Sequence, residues 1–397
     1  TDISMPNFSK WIPWIMAALA FAHFNALAVT ALQPSRDDDV LEVLPTITRN
    51  RPTSSAAARP VADPALAALA ARQNIAMARE TGETRYWGRA QAVLSTWWDR
   101  ADAPADLAVL QATVQQGRHE FDASRQVLGA TLARTPGHAQ GWLNLAALER
   151  LSARYAQSLS ACEGVARAGQ ALYAAACRLE THSLQGHHPV ATQGLQTLIT
   201  QAANTDQRSW LLSLLAESQE RAGRDRAAAD AYRRSLALAP DLYTSIAYSD
   251  LLLRTGKPAQ ALQAMEKLPE TDAVLLRRAC AWRRLGDTQW TSARIRLQER
   301  TAELLRRGDD PSVHGRELAL VALWLDDDPV QALVLARSNL QLQREPLDWW
   351  VALQSAHLAK DSAALTAIAR EIQTAGLVDM RLSAWLPENT RSDRLAK

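Results

Sequence analysis

Residues 139–171 read AQGWLNLAALERLSARYAQSLSACEGVARAGQA, and the spacing inside this stretch decides the fold. Counted from Ala139, Trp142 stands at position 4, Leu145 and Ala146 at 7 and 8, Tyr155 at 17, Ser158 at 20 and Cys162 at 24. The unit before it starts at Ala105, with Ala112 at 8, Phe121 at 17, Ser124 at 20, Leu128 at 24 and Pro136 at 32. A later unit starts at Ser209, with Leu215, Ala216, Gly223, Ala228, Tyr232 and Pro240 at 7, 8, 15, 20, 24 and 32. The next starts at Leu242, with Tyr248, Ser249, Gly256, Ala261 and Met265 at 7, 8, 15, 20 and 24. One from Asp272 has Ala279, Gly286, Thr291 and Ile295 at 8, 15, 20 and 24. Weaker units start near Leu172 (Gly186, Ala191, Leu195), Val313 (Ala332) and Glu345 (Ala364).

Each recurring position has a physical reason. Two helices of one unit cross closely at 8 and 20, where only small side chains fit, and large residues fill the space around the crossing. A glycine or polar residue near 15 permits the turn between the helices. A proline at 32 ends the second helix, because proline does not suit a helix interior. Ala and Leu dominate after residue 64 and β-branched residues are sparse, which favours helix over sheet.

This pattern resembles the tetratricopeptide repeat family over roughly residues 105–375. It departs from the family in carrying Glu149 at position 11 and proline at 32 in only two of the units quoted. The resemblance implies an all-α fold, an α-solenoid of antiparallel helix pairs whose first helices line a concave groove. The family's groove positions fall here on Arg150, Trp210, Glu217, Glu220, Arg221, Tyr243, Asp250, Arg254, Arg283 and Arg284. It also implies a protein or peptide partner, since arginine and aromatic residues anchor such interfaces. The same residues also read as solvated helix faces with local ion pairs. The lysine–asparagine–arginine set that clamps a free peptide C-terminus is not laid out.

Outside the repeats, Lys10 precedes an apolar run from Trp11 to Phe24, and Ala26 and Ala28 form an A-x-A site. Residues 1–28 therefore read as a signal peptide of the bacterial export type, with an uncleaved anchor as the other reading. Residues 29–63 form an extended or flexible linker, 64–104 capping helices ahead of the repeats, and 376–397 a C-terminal tail. No membrane span is expected in the mature chain. The formal charge, 44 basic against 42 acidic residues, is +2 and gives no footprint for nucleic acid.

Cys162 and Cys177 flank a turn near Gly169 at almost equal distances. They read either as a disulfide between antiparallel helices or as two unlinked buried thiols. Cys280 reads as a small apolar filler. His182, His187 and His188 cluster at an expected turn and read as a solvated loop rather than a metal site. Of the thirteen tryptophans, the adjacent pairs Trp97-Trp98 and Trp349-Trp350 point about 100° apart on a helix, so one of each packs inward. Hydrolase, P-loop and dinucleotide motifs are absent, and no cofactor or metal is expected. The expectation is a non-enzymatic protein-binding scaffold of the bacterial periplasm or cell envelope. A permanent subunit of an envelope or surface assembly is the alternative, and a metal-handling accessory is a third reading.

Overall fold

The structure, a computed structural model, describes residues 63–306 and 314–386. The expected signal peptide, nearly all of the 29–63 linker and residues 387–397 lie outside the described residues. The described residues belong to one compact unit spanning 60–397. They are all-helical, with no strand among them.

Two helices come first, α1 (Pro64–Thr81) and α2 (Arg85–Leu94). Antiparallel pairs follow: α3 (Ala105–Gly117) with α4 (Phe121–Arg134), α5 (Ala139–Leu151) with α6 (Tyr155–Arg167), and α7 (Ala171–Leu184) with α8 (His188–Gln201). Then come α9 (Thr205–Arg221) with α10 (Asp225–Leu238), and α11 (Leu242–Arg254) with α12 (Pro258–Ala264). The last are α13 (Asp272–Leu285) with α14 (Gln289–Arg306), α15 (Gly315–Trp324) with α16 (Pro329–Leu342), and α17 (Pro346–Leu358) with α18 (Ser362–Ala375). The first helices of the pairs pack on their own partners and on one another, α7 on α9, α11 on α13, α13 on α15 and α15 on α17. This is a tetratricopeptide-like solenoid in which the first helices lie side by side, with α9 and α11 joined through the side-chain bonds of Tyr243 to Glu217 and Arg254 to Glu220.

Local chemistry sets where helices start. Asp63 accepts the amides of Ala65 and Leu66 with Pro64 behind it, and Asn204, Asp241, Asp328 and Asp361 cap α9, α11, α16 and α18 in the same way. The turns inside the pairs share one device. His119, Ala153, Gly186, Gly223, Gly256, Gly286, Asp327 and Lys360 all have positive φ, and each sits between the two helices of a pair. Through Asp327 they fall on position 15 of their units.

The small-residue crossing is fully buried. Ala112, Ala146, Ala216, Ser249, Ala279 and Ala352 are sealed at position 8, and Ser124, Ser158, Ala191, Ala228, Ala261 and Ala332 at position 20. Ser124 Oγ donates to the Ala112 carbonyl at 2.9 Å, so the two positions touch. The unit from Asp272 differs from expectation. Thr291 is exposed and Ile295 is 53% exposed, while Ala293 and Leu297 are buried. The connection has three residues as in most of the other pairs, but its left-handed Gly286 comes first among them rather than second, and the buried pair stands two residues along. Position 11 of the unit from Ala139 holds a buried ion pair rather than an apolar side chain: Glu149 receives Arg125 at 3.1 Å and Arg154 at 2.9 Å.

The chain does not stop at α18. After Gly376, residues 377–386 fold back through a 3₁₀ turn, Met380–Leu382, with Leu377, Leu382 and Leu386 buried. Val378 N–H donates to the Leu184 carbonyl at 2.8 Å, and Arg344 N–H donates to the Leu151 carbonyl at 2.8 Å. The C-terminal pairs therefore press on the turn ends of α5, α7 and α9. Glycines make this approach fit: a Cβ on Gly186 would lie 2.9 Å from Val378 Cβ.

Candidate protein-binding groove

The inner layer carries an aromatic strip. Tyr173 in α7, Trp210 in α9 and Tyr243 in α11 each stand second in their units. The Tyr173 and Trp210 rings lie 5.4 Å apart. Tyr243 is 62% exposed and its hydroxyl donates to Glu217 Oε1 at 2.9 Å. Trp210 and Tyr243 were expected here. The sequence pattern does not single out Tyr173, although its offset from Leu172 equals that of Trp210 from Ser209. The weak unit around it hid the match.

The charged candidates are largely paired with one another or with neighbours. Glu217 pairs with Arg221 at 3.4 Å; burial raises its carboxyl above the usual range, and Arg221 opposes the rise. Arg221 donates from Nε to Ser183 Oγ at 3.0 Å. Glu220 accepts from Tyr232 at 2.9 Å and from Arg254 at 3.0 Å, and Arg381 stands 3.5 Å away. So the structure joins Glu217 with Arg221 and Tyr243, and Glu220 with Arg254. The others pair elsewhere. Arg150 meets Glu180 at 2.8 Å, and Asp250 takes a two-pronged bond from Arg277, both arms 2.8 Å. Arg283 binds Asp327 and the Trp324 carbonyl, and Arg284 donates to the Leu253 carbonyl.

Glu220 and Arg221 lie beneath the surface, at 4% and 3% exposure. They stand at the turn end of α9, where residues 377–386 cover them. There, burial disfavours the charge on Asp379, but the Arg381 guanidinium and its hydrogen bonds outweigh it and hold the carboxyl low. The open part of the wall is thus its other end, where the aromatics stand.

Cys162 and Cys177 are joined, with Cα atoms 5.7 Å apart, and the bond ties α6 to α7. Cys280 is buried alone, and burial raises its thiol. His188 is no loop residue: it opens α8, is buried, and neither ring nitrogen has a partner. Burial lowers both His182 and His188. Among the described residues no group of three or more His, Cys, Asp or Glu could hold a metal, and no helix is long and apolar enough to cross a membrane. In the tryptophan pairs, Trp349 is buried and donates to the Arg344 carbonyl at 3.1 Å. Trp350 sits between Trp324 and Trp385, 6.3 and 6.4 Å away. Trp97 and Trp98 both pack partly buried against the first core.

The fold is that of a tetratricopeptide-like protein. The chain is similar to the TPR domain of P58(IPK), seen in a crystal structure, at 14% identity over 85% of this chain and 99% of that one, with a TM-score of 0.24. No protein-family model and no curated protein matches it.

Proposed function

We propose that the protein is an exported, non-enzymatic scaffold that binds a protein or peptide partner along the inner wall of its repeats, in the bacterial periplasm or cell envelope. The observation that supports this reading is the strip of Tyr173, Trp210 and Tyr243. Three successive units present an aromatic side chain at one position, partly open to solvent, where no packing rule of the repeat requires one. Export rests on the signal-like segment before Ala28 and on a disulfide that suits an oxidising compartment.

The test places a photo-crosslinking amino acid at Trp210, at Tyr243 and at the exposed Val334 of α16, in intact cells. A shared adduct at Trp210 and Tyr243 and none at Val334 is expected. No adduct at the two inner positions, or the same adduct at all three, overturns the groove. Fractionation of the same cells tests export: protein retained in the cytoplasm with both thiols free removes that part of the reading.

A further inference from the structure

The helix α12 has seven residues, where α4, α6, α8, α10, α14, α16 and α18 have 13 to 18. The chain leaves the helix at Met265, and Arg278 of α13 fixes that departure by donating to the carbonyls of Met265, Glu266 and Leu268. Pro269 does not suit a helix interior, so α12 cannot run on through it. A cleft open to solvent lies between the first turns of α10 and the α11–α12 pair, at the turn ends of these helices. It consists of two adjoining hollows of about 710 and 890 Å³ that share Asp225, Arg226 and Arg233.

The lining has a definite character. Tyr248, Ala229 and Ala264 give a partly exposed apolar floor. Arg226 and Lys257 stand at the lips, exposed, with no partner among the described residues. The carboxylates nearby are already engaged. Asp225 takes two hydrogen bonds from Arg254, at 2.6 and 3.0 Å, and Asp230 is shared by Arg233 and Arg234 at 3.2 and 3.7 Å. The lips therefore keep a net positive charge above an apolar bed.

We propose that this cleft docks an extended acidic segment of a partner protein. An extended chain turns successive side chains to opposite sides. Apolar residues at every second position would lie on Tyr248, Ala229 and Ala264, and the acidic residues between them would meet Arg226 and Lys257. The surface is separate from the aromatic wall and does not depend on it.

The probe is a fluorescein-labelled peptide alternating glutamate and valine, titrated into the whole protein by fluorescence anisotropy. Binding that weakens with salt is expected, and Arg226→Glu with Lys257→Glu should weaken it about tenfold. Both side chains are exposed and unpaired, so the thermal midpoint should stay put. Ala229→Phe, which fills the floor and leaves every charge in place, should also abolish binding. Trp210→Ala with Tyr243→Ala should leave it unchanged; loss of binding there would move the site to the inner wall and overturn the proposal. Failure of the acidic peptide to bind, equal binding of a lysine–valine peptide, or tighter binding of oligothymidylate overturns it as well.

Discussion

The pairs α5–α6 and α13–α14 solve one packing problem in two registers. In the first, Ala146 and Ser158 are the sealed small residues and Cys162 follows four residues on. In the second, Ala279 and Ala293 are sealed and Leu297 follows. Both turns pass through a left-handed residue, Ala153 and Gly286. But α6 begins two residues after that point and α14 begins three after it. The crossing needs small side chains at a place in space, and the connection decides which residues of the chain arrive there. The pairs also differ in their fastenings. The second helix of the first pair is tied to the next unit by the Cys162–Cys177 bond, whereas Cys280 in α13 stands alone.

The fastening gives the largest expected effect. The bond closes a loop of 15 residues, which constrains the unfolded chain by about 3 kcal/mol. Cys162→Ala with Cys177→Ala, or reduction, should lower unfolding free energy by about that amount in denaturant titrations. Cys280→Ala should not change the response to reductant. A wild-type midpoint indifferent to reductant would mean that the two halves of the comparison are fastened alike.

Close fit comes next. Gly164 in α6 lies under Trp142, and a Cβ there would fall 2.2 Å from the indole. Gly164→Ala should cost about 1–3 kcal/mol despite the better helix propensity of alanine. Gly129 in α4 has nothing within 4 Å of its added Cβ, so Gly129→Ala should gain about 0.5–1 kcal/mol. In α14 the matching test is of register. Ala293→Leu overfills a sealed site and should cost about 1–3 kcal/mol, whereas Thr291→Leu at an exposed site should stay within about 0.5 kcal/mol. The reverse order of these two would restore the equal spacing expected from Asp272.

The repeat itself was legible because its constraints are local. Small residues at 8 and 20, a left-handed turn at 15 and a buried residue at 24 are properties of one pair, and Leu128, Cys162, Leu195, Tyr232 and Met265 are all buried. What escaped depends on contacts between distant units. Gly186 reads as a turn residue, and nothing in its neighbours announces that it also admits Val378 from far along the chain. Glu220 and Arg221 fall on groove positions by counting, but residues 377–386 cover that end of α9. The unit that carries Tyr173 is disguised in the sequence because Leu179 replaces the small residue at position 8, an exchange that Gly194 on α8 accommodates.

The turns give the smallest effects and the finest comparison. A left-handed conformation costs a residue with a Cβ about 1–2 kcal/mol, and glycine returns about 0.5–1 kcal/mol of that through its greater unfolded freedom. Gly286 has φ 73° and open space around an added Cβ, so Gly286→Ala should cost about 1 kcal/mol from backbone strain alone. Lys360 has φ 57° and an exposed, unpaired side chain, so Lys360→Gly should gain about 0.5–1 kcal/mol. Ala153 has φ 56°, but its methyl packs against the core of the C-terminal pairs. The methyl is half-buried, so removing it costs part of the about 0.8 kcal/mol of a fully buried one, which offsets much of the relief. Ala153→Gly should therefore leave stability within about 0.5 kcal/mol of the wild type. A gain equal to that of Lys360→Gly would show that the Ala153 methyl contributes nothing to the contact between the turn end of α5 and the C-terminal pairs.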